Sequence, residues 1–372
     1  MMMERLRTPV EDRVLVSPDS LRTAVAAILQ TRGVSADDAF EAATVLVEAD
    51  LRGVETHGVS NVVRAYLKAY DDGALNPTPK ATIDHETVGT AVIDGDHGLG
   101  ITQGRHAMEL AIEKARTTGV GVVTMRNSGH LGAVGHFAQL AARQDMVGVC
   151  MTAAGMSVLP PLGAAPRLGT NPIAVAAPTF EGPFFLYDAA TSAIADNKVK
   201  VAARLGAKLA PGWIADETGE PVLEERDIPE RAFYMIPTGA SYQFGSHKGF
   251  GLGLVVEVLC AMLSGGGPAM LRNMTSYSGE YKHHFAAYNI ESFVDIDWFK
   301  RTMTDMLRTV SETPPIDPET RVRFPGQRAA EAYEYRSRNG VPLHREVVEW
   351  FDIFTESSGI APLERVDAIG SQ

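Results

Sequence analysis

The first part of the chain carries apolar residues at the three-and-four spacing that is typical of amphipathic helices. This spacing predicts helices over residues 21–31, 35–52 and 60–70. Ser35, followed by Asp37 and Asp38, provides a capping start for the second helix. His57 therefore lies in the short connection between the second and third helices, where its side chain can be directed toward a ligand.

From residue 90 onward, short apolar runs alternate with helical segments. The pattern predicts strands over residues 90–93, 120–125, 146–152, 173–177 and 184–187, and helices over residues 102–116 and 134–143. Only residues 178–183 separate the last two strands, whereas a parallel crossover needs about a dozen residues. These two strands are therefore predicted to be antiparallel, and the α/β fold is not a simple doubly wound one.

A glycine-rich segment, residues 98–104, follows the first of these strands and invites comparison with a dinucleotide-binding fingerprint. Three residues separate Gly100 from Gly104, one more than separate the last two glycines of the fingerprint. The next strand ends in Met125-Arg126-Asn127 and lacks the acidic residue that binds the ribose. We therefore interpret the segment as a glycine-rich turn into a helix.

In the last third of the chain, the pattern of apolar residues predicts a long apolar helix over residues 249–263, a strand over 284–289 and a helix over 297–310. An amphipathic stretch covers residues 340–354. Residues 265–282 are rich in Gly, Ser and Tyr, which is typical of a mobile surface loop or interface segment.

Composition narrows the range of functions. A length of 372 residues favours two or three domains, and the formal charge of −12 disfavours nucleic acid as a partner. The two cysteines lie in apolar runs and are expected to be buried and reduced. The first thirteen residues do not resemble a secretory signal, and the longest apolar run contains Glu257 and is too short to span a bilayer. We expect a cytoplasmic protein without membrane contact.

Two segments place compact polar groups beside backbone that an anion can approach. Asp188-Ala189-Ala190-Thr191-Ser192 follows an apolar strand, and Ser246-His247-Lys248-Gly249 opens the long apolar helix. Unpaired N–H groups at a helix start bind phosphate, and Lys248 would add a positive charge. Each segment also has a simpler interpretation, since Asp188 could only begin a turn and the glycines could only allow close helix packing.

Two histidines have glycine neighbours, His57 in Thr56-His57-Gly58 and His130 in Gly129-His130-Leu131-Gly132. Because imidazole titrates near neutral pH, either could transfer a proton to or from a substrate oxygen. A metal site built from His57, His130, Asp188 and the pair His283-His284 is the alternative, although the chain has no HxxxH or HxH spacing among them.

Five motifs occur in order along the chain, at residues 51–58, 129–132, 169–172, 188–192 and 248–252. Taken together, they resemble the type 2 malate/L-lactate dehydrogenase family, which includes ureidoglycolate and sulfolactate dehydrogenases and diketogulonate reductase. The resemblance covers about residues 18–345.

The resemblance implies a homodimeric NAD- or NADP-dependent dehydrogenase or reductase acting on a CH–OH group, with a mostly antiparallel central sheet and a non-Rossmann nucleotide-binding domain. It implies a helical domain from residues 1–80 and 311–372, and an NAD(P)-binding domain from 81–310 that contains the mobile 265–282 segment. His57 and His130 correspond to residues proposed for proton transfer in different members. The cofactor contacts are expected at Asp188, Ala189, Ala190, Thr191, Ser192, His247, Lys248, Gly249, Pro325, Gly326 and Gln327.

The chain departs from the family pattern on the substrate side. Thr56 replaces the usual serine, and Asn61 occupies the position of a carboxylate-binding arginine, which leaves Arg64 as the nearest candidate. Residues 153–155, Ala-Ala-Gly, stand where members carry polar side chains. These changes disfavour malate and lactate as substrates. The leading hypothesis is a dehydrogenase of another small 2-hydroxy or 2-keto acid, with no resident metal. A cyclic imino acid reductase and a metal-dependent hydrolase or lyase are the alternatives, and the choice between NAD and NADP stays open.

Overall fold

The computed structural model describes residues 6–230, 232–272, 274 and 277–367. Its helices are α1 (Pro18–Gln30), α2 (Ala36–Leu51), α3 (Val59–Asp71), α4 (Gly100–Thr118), α5 (Gly135–Ala142), α6 (Asp196–Leu205), α7 (Ser246–Val256), α8 (Ala269–Arg272), α9 (Ile296–Ser311), α10 (Gln327–Asn339) and α11 (Arg345–Ser358). Helix α7 continues as a π-helical segment, Glu257–Met262.

The strands are β1 (Arg13–Val16), β2 (Thr82–Glu86), β3 (Thr90–Gly98), β4 (Val120–Ser128), β5 (Met146–Ala153), β6 (Ile173–Ala177), β7 (Phe185–Ala189), β8 (Ile214–Ala215), β9 (Tyr234–Met235), β10 (Tyr281–Asn289) and β11 (Val341–His344). Seven of them form the central sheet in the order β2-β3-β4-β10-β5-β6-β7, and β1 pairs with β11 in a separate two-stranded sheet. Residues 13–16 and 341–344, which are far apart in the sequence, therefore meet in one small sheet.

The central sheet is mostly antiparallel, as predicted. Among the described strands of this sheet, only β3 and β4 pair in parallel, and the helix α4 connects them. Strands β6 and β7 are antiparallel, with Ala177 opposite Phe185. This confirms the prediction from the short link over residues 178–183, which cannot form a parallel crossover. Strand β10 arrives from late in the chain and lies between β4 and β5, antiparallel to both. This topology differs from a doubly wound nucleotide-binding sheet.

Helix boundaries follow the local signals in the sequence. The Ser35 side chain accepts the Asp38 N–H at 3.2 Å and caps α2, as the capping pattern predicts. The long apolar helix begins earlier than expected, at Ser246, and its last part is π-helical. There, the Asn171 side chain donates a hydrogen bond of 3.0 Å to Glu257, which joins this helix to the loop before β6.

The glycine-rich segment before α4 packs against protein instead of facing a ligand. A side chain at Gly104 would come within 2.6 Å of the Phe137 ring, so this glycine permits close packing of α4 against α5. The helices α4 and α5 cover one face of the sheet, and the π-helical segment contacts β10, β4 and β5. The interpretation of residues 98–104 as a turn into a helix, without a dinucleotide loop, agrees with this arrangement.

The structure changes one sequence-based expectation, confirms another and leaves two as predictions. Strand β10 begins at Tyr281, three residues earlier than predicted, and buries Tyr281 and Lys282. The mobility of residues 265–282 stays a prediction, and three residues of that segment lie outside the described part of the chain. The division into two domains also stays a prediction. Both cysteines, Cys150 and Cys260, are buried and unpaired, as expected.

Candidate active site

The two glycine-flanked histidines lie face to face. His57 ends a short 3₁₀ turn, Glu55–His57, between α2 and α3, whereas His130 lies in the loop that follows β4. Their ring centroids are 5.6 Å apart and their planes differ by 10°. Residues that are 73 positions apart in the sequence thus form one stacked imidazole pair.

The turn that carries His57 is held by a buried carboxyl group beneath it. The Asp50 side chain accepts the Val59 N–H at 2.8 Å, which satisfies an unpaired donor at the start of α3. Gly58 lies directly against this carboxyl group, and any side chain at residue 58 would collide with it. Burial raises the pKa of Asp50 to about 8, although the hydrogen bond from Val59 opposes the shift. The glycine beside His57 is therefore required by packing.

Hydrogen bonds fix the tautomer of His130. Its Nδ1 accepts the Gly132 N–H at 3.2 Å and lies 2.6 Å from the Tyr66 hydroxyl. Because a backbone N–H can only donate, Nδ1 carries no proton, and the Tyr66 hydroxyl must donate to it as well. The neutral ring therefore carries its proton on Nε2. The Nδ1 of His57 lies 3.0 Å from the Thr56 hydroxyl, which leaves its tautomer open.

Both imidazoles are neutral at neutral pH. Burial, together with the positive charge of Lys198, lowers the pKa of His57 to about 4. Burial also places the pKa of His130 well below its usual value, and charges on His57, His283 and Lys200 add to this effect. A neutral imidazole accepts a proton at its unprotonated ring nitrogen, so His57 is suited to receive a proton from a substrate hydroxyl. The unprotonated nitrogen of His130 already accepts from Gly132 and Tyr66, which leaves the Nε2–H of this ring as a hydrogen-bond donor.

A groove of about 1340 Å³ leads to His57 from the direction of β7 and α10. Asp188, Ala189, Ala190 and Ser192, four of the expected cofactor contacts, line this groove. Thr191 is buried and donates its hydroxyl to the Thr170 carbonyl. Asp188 remains open to the groove and accepts the Gly135 N–H at 2.8 Å. Surrounding protein atoms raise the pKa of Asp188 to about 6, so this carboxyl group titrates close to the neutral range.

Two of the predicted cofactor segments adjoin each other, and the third lies apart. The Leu186 N–H donates to the Pro325 carbonyl at 3.1 Å, which brings residues 325–327 beside β7, and Gly326 lines the groove. Gln327 begins α10. His247 and Lys248 are exposed at the start of α7 and do not line the groove, whereas Gly249 packs against Thr238, which does.

The predicted substrate contacts are only partly brought together. Thr56 lines the groove beside His57. Asn61 donates its side-chain N–H to the Glu55 carbonyl at 2.7 Å and lines neither the groove nor the smaller cavity described below. Arg64 pairs with Glu346 at 2.6 Å and stacks over Trp350 at 5.0 Å, away from both spaces. In this structure Arg64 is not positioned as a carboxylate clamp, because α11 already supplies its counter-ion.

A smaller cavity of about 70 Å³ is lined by both histidines of the pair. We call it the inner cavity. Its lining includes His57, His130, Leu131, Gly132, Val134, Thr152, Ala154, Gly155, Ser157, Thr170, Pro172, Ala195, Asp196, Asn197, Tyr277 and Tyr281. His57, Gly132, Val134, Thr170, Pro172 and Ala195 border both spaces. The groove and the inner cavity therefore meet at His57.

Sequence reasoning missed three contributors to this site. Lys198 lines the groove next to His57, Tyr66 orients His130, and Asn197 donates to the Thr56 carbonyl at 2.7 Å. Lys198 and Asn197 follow the Asp188–Ser192 motif within one short helix, so their proximity in sequence to that motif was the available signal. No local pattern marks Tyr66, which is simply an apolar-face residue of α3.

The alternative of a metal site finds no ligand cluster in the part of the chain that the structure describes. The ring nitrogens of His283 lie near the Thr152 hydroxyl and the Gly129 carbonyl, both at 3.1 Å. His284 lies on the opposite face of β10. Among the described helices, none combines the length and apolar character needed to cross a membrane.

Comparison with known proteins identifies the type of enzyme to which this site belongs. Residues 16–352 match the malate/L-lactate dehydrogenase family model. The malate dehydrogenase of Pyrococcus abyssi is 35% identical over 355 residues, which cover 95% of this chain and 98% of the relative. The structure of malate dehydrogenase from Pyrococcus horikoshii OT3 superposes with a TM-score of 0.85 at 32% identity, covering 96% of this chain and 99% of the other. The structure of delta1-piperideine-2-carboxylate reductase from Pseudomonas syringae pvar. tomato superposes with a TM-score of 0.78 at 25% identity, covering 91% of this chain and 98% of the other.

Proposed function

Because the chain belongs to the malate/L-lactate dehydrogenase family, we propose that it is a nicotinamide-dependent oxidoreductase that interconverts a small 2-hydroxy acid and the corresponding 2-oxo acid. The observation that carries this proposal is the stacked His57–His130 pair at the junction of a large groove and a small inner cavity. The groove has the size for a dinucleotide and the inner cavity for one end of a small substrate, and His57 lies where the two ligands would meet.

The groove fits an extended cofactor. Its volume of about 1340 Å³ exceeds what drug-sized ligands fill, and backbone from residues 186–190 and Gly326 lines it. These residues would hold the dinucleotide, with Asp188 available to accept a hydrogen bond from a ribose or carboxamide group. When bound, the cofactor supplies or accepts the hydride. Gly249 and Lys248, at the start of α7, are the proposed phosphate contacts from the family resemblance.

The histidine pair would handle the proton. In the oxidation direction the 2-hydroxy acid loses a hydride to the oxidised nicotinamide and a proton from its hydroxyl group to a neutral imidazole. In the reduction direction the same imidazole returns the proton to the carbonyl oxygen. A bound carboxylate would raise the low pKa of His57 by offsetting the nearby positive charge of Lys198, which makes the protonated form accessible in the complex.

Steady-state kinetics of two substitutions test this role. His57→Gln and His130→Gln should each lower kcat by roughly 100-fold or more, the usual contribution of a general acid–base group. Cofactor affinity, measured by quenching of protein fluorescence, should stay within about twofold, because neither imidazole is needed to form the groove. His106→Gln, an exposed position on α4, is the matched control. Full turnover in both variants would refute the proposal, as would activity that depends on a stoichiometric metal.

A cyclic imino acid is the second candidate substrate class, and its support is the similarity to the piperideine-2-carboxylate reductase. An absorbance screen of 2-hydroxy, 2-oxo and cyclic imino acids with each of the four cofactor forms would separate the two classes. The same screen distinguishes NAD from NADP. Arg323 and Arg328 line the groove near Gly326 and are the candidates for contacting a 2′-phosphate.

A homodimer is part of the proposal. Four apolar side chains form an exposed stripe along α7 and its π-helical continuation, namely Leu252, Val255, Val258 and Met262. A second copy of the chain would cover such a stripe, since large exposed apolar patches mark association surfaces. The homodimer and the cytoplasmic location remain predictions, and sedimentation analysis measures the first of them.

A further inference from the structure

Lys198 brings a positive charge to the junction of the two spaces without a counter-ion. It is the third residue of α6, half-buried, and lines the groove near enough to His57 to lower the pKa of that histidine. Within the described ranges, no carboxylate or hydrogen-bond acceptor contacts its ammonium group, and burial alone lowers its pKa. A partly desolvated ammonium group without an acceptor is energetically unfavourable, so an anionic ligand would be stabilised there.

The other cations around the site are already paired. Arg64 and Arg204 share Glu346, at 2.6 Å and 3.3 Å. The Lys200 ammonium group lies 3.5 Å from Asp196 and donates to the Asn197 side chain at 2.9 Å. Their charges are therefore largely balanced within the protein, and Lys198 is left as the cation beside His57 that can pair with a substrate.

The inner cavity accepts a short, uncharged group. At about 70 Å³ it has room for roughly two water-sized groups, each occupying about 30 Å³. Ala154 and Gly155 contribute little polarity, and Asp196 contributes a negative charge. Of the described residues, no lysine or arginine lines this cavity. A second carboxylate placed there would lose water without gaining a cation.

Resting on the proposed function, we infer that the substrate is a singly charged 2-hydroxy or 2-oxo acid whose carboxylate pairs with Lys198 and whose side chain of one or two carbons enters the inner cavity. The reacting carbon then lies at the junction, next to His57. This assignment separates the chain from its malate dehydrogenase relatives, because malate carries a second carboxylate. The methyl group of lactate fits the available volume, which changes the sequence-based expectation against that substrate.

The test combines a substrate series with two substitutions. Initial rates are measured for L-lactate, L-2-hydroxybutanoate and L-malate with NAD⁺ and with NADP⁺. We expect kcat/KM for one of the first two to exceed that for L-malate by roughly 100-fold, because an unpaired buried charge is strongly disfavoured. Lys198→Met should raise the KM for the acid by roughly 30-fold or more, while the cofactor dissociation constant changes by less than about threefold.

Lys198→Arg keeps the charge and should recover part of the lost affinity, a result that a purely structural role would not produce. Lys68→Met, at an exposed position on α3, controls for loss of a surface charge. Preferred turnover of L-malate would overturn this inference alone, as would Lys198→Met weakening the cofactor as much as the acid. Absence of turnover with every 2-hydroxy and 2-oxo acid would instead overturn the proposed function, and this inference with it.

Discussion

Replacing Asp50 with asparagine should remove a titrating group from beneath the His57 turn while keeping the acceptor for the Val59 N–H. Burial raises the pKa of Asp50 from 3.8 to about 8. The folded protein therefore holds a proton that the unfolded chain releases, and the stability of the wild-type protein falls as pH rises from about 4 to about 8. Between pH 6 and pH 9 the difference in bound protons integrates to almost two pH units. At 1.36 kcal/mol per unit, the wild-type protein should lose about 2–3 kcal/mol of unfolding free energy over this interval.

Urea unfolding, followed by far-ultraviolet circular dichroism at pH 6 and at pH 9, measures this loss. The Asp50→Asn protein does not titrate at this position, so its urea midpoint should change much less between the two pH values. Asp72→Asn, an exposed position just after α3, should keep the pH dependence of the wild-type protein. Equal pH dependence in the wild-type and Asp50→Asn proteins would show that the Asp50 carboxyl group is not protonated in the folded state at neutral pH.

Three further predictions follow from the contacts of the site. Tyr66→Phe removes the donor to Nδ1 of His130 and should lower kcat by roughly 10-fold with little change in the urea midpoint; unchanged kcat would mean that Gly132 alone fixes the ring. Asp188 binds a proton as pH falls through about 6, so the wild-type protein should lose activity or cofactor affinity near that pH. The Asp188→Asn protein should not show this loss. If the variant keeps the same pH dependence, another group is responsible for the loss. Val258→Asp introduces a charge into the apolar stripe and should shift the sedimentation coefficient from dimer to monomer, with the wild-type protein as reference.

Much of the fold was predictable because its signals are local. The Ser35 cap, the short link at residues 178–183 and the apolar runs of the central strands each depend on a few neighbouring residues. Elements without an apolar stripe escaped prediction. Helix α10 buries none of its side chains and β2 is exposed throughout, so neither shows the periodicity on which the analysis depends.

In the site, likewise, features marked by neighbouring residues were predictable and contacts between distant residues were not. Glycine neighbours drew attention to His57 and His130, and the structure relates one of these glycines, Gly58, to the Asp50 carboxyl group behind it. Arg64 was a reasonable candidate clamp until its partner was known. That partner, Glu346, lies 282 residues later, and no spacing rule relates the two. Lys198 became a candidate only when folding placed α6 against the His57 turn.

The pairing of β1 with β11 has a consequence for when the groove can form during synthesis of the chain. Residues 6–15 and residues 323–342 both border the groove, although more than 300 positions separate them in the sequence. The groove therefore lacks one of its walls until residues 323–342 have been synthesised and β11 has paired with β1. A chain that ends before residue 341 should therefore bind the proposed dinucleotide more weakly than the full chain.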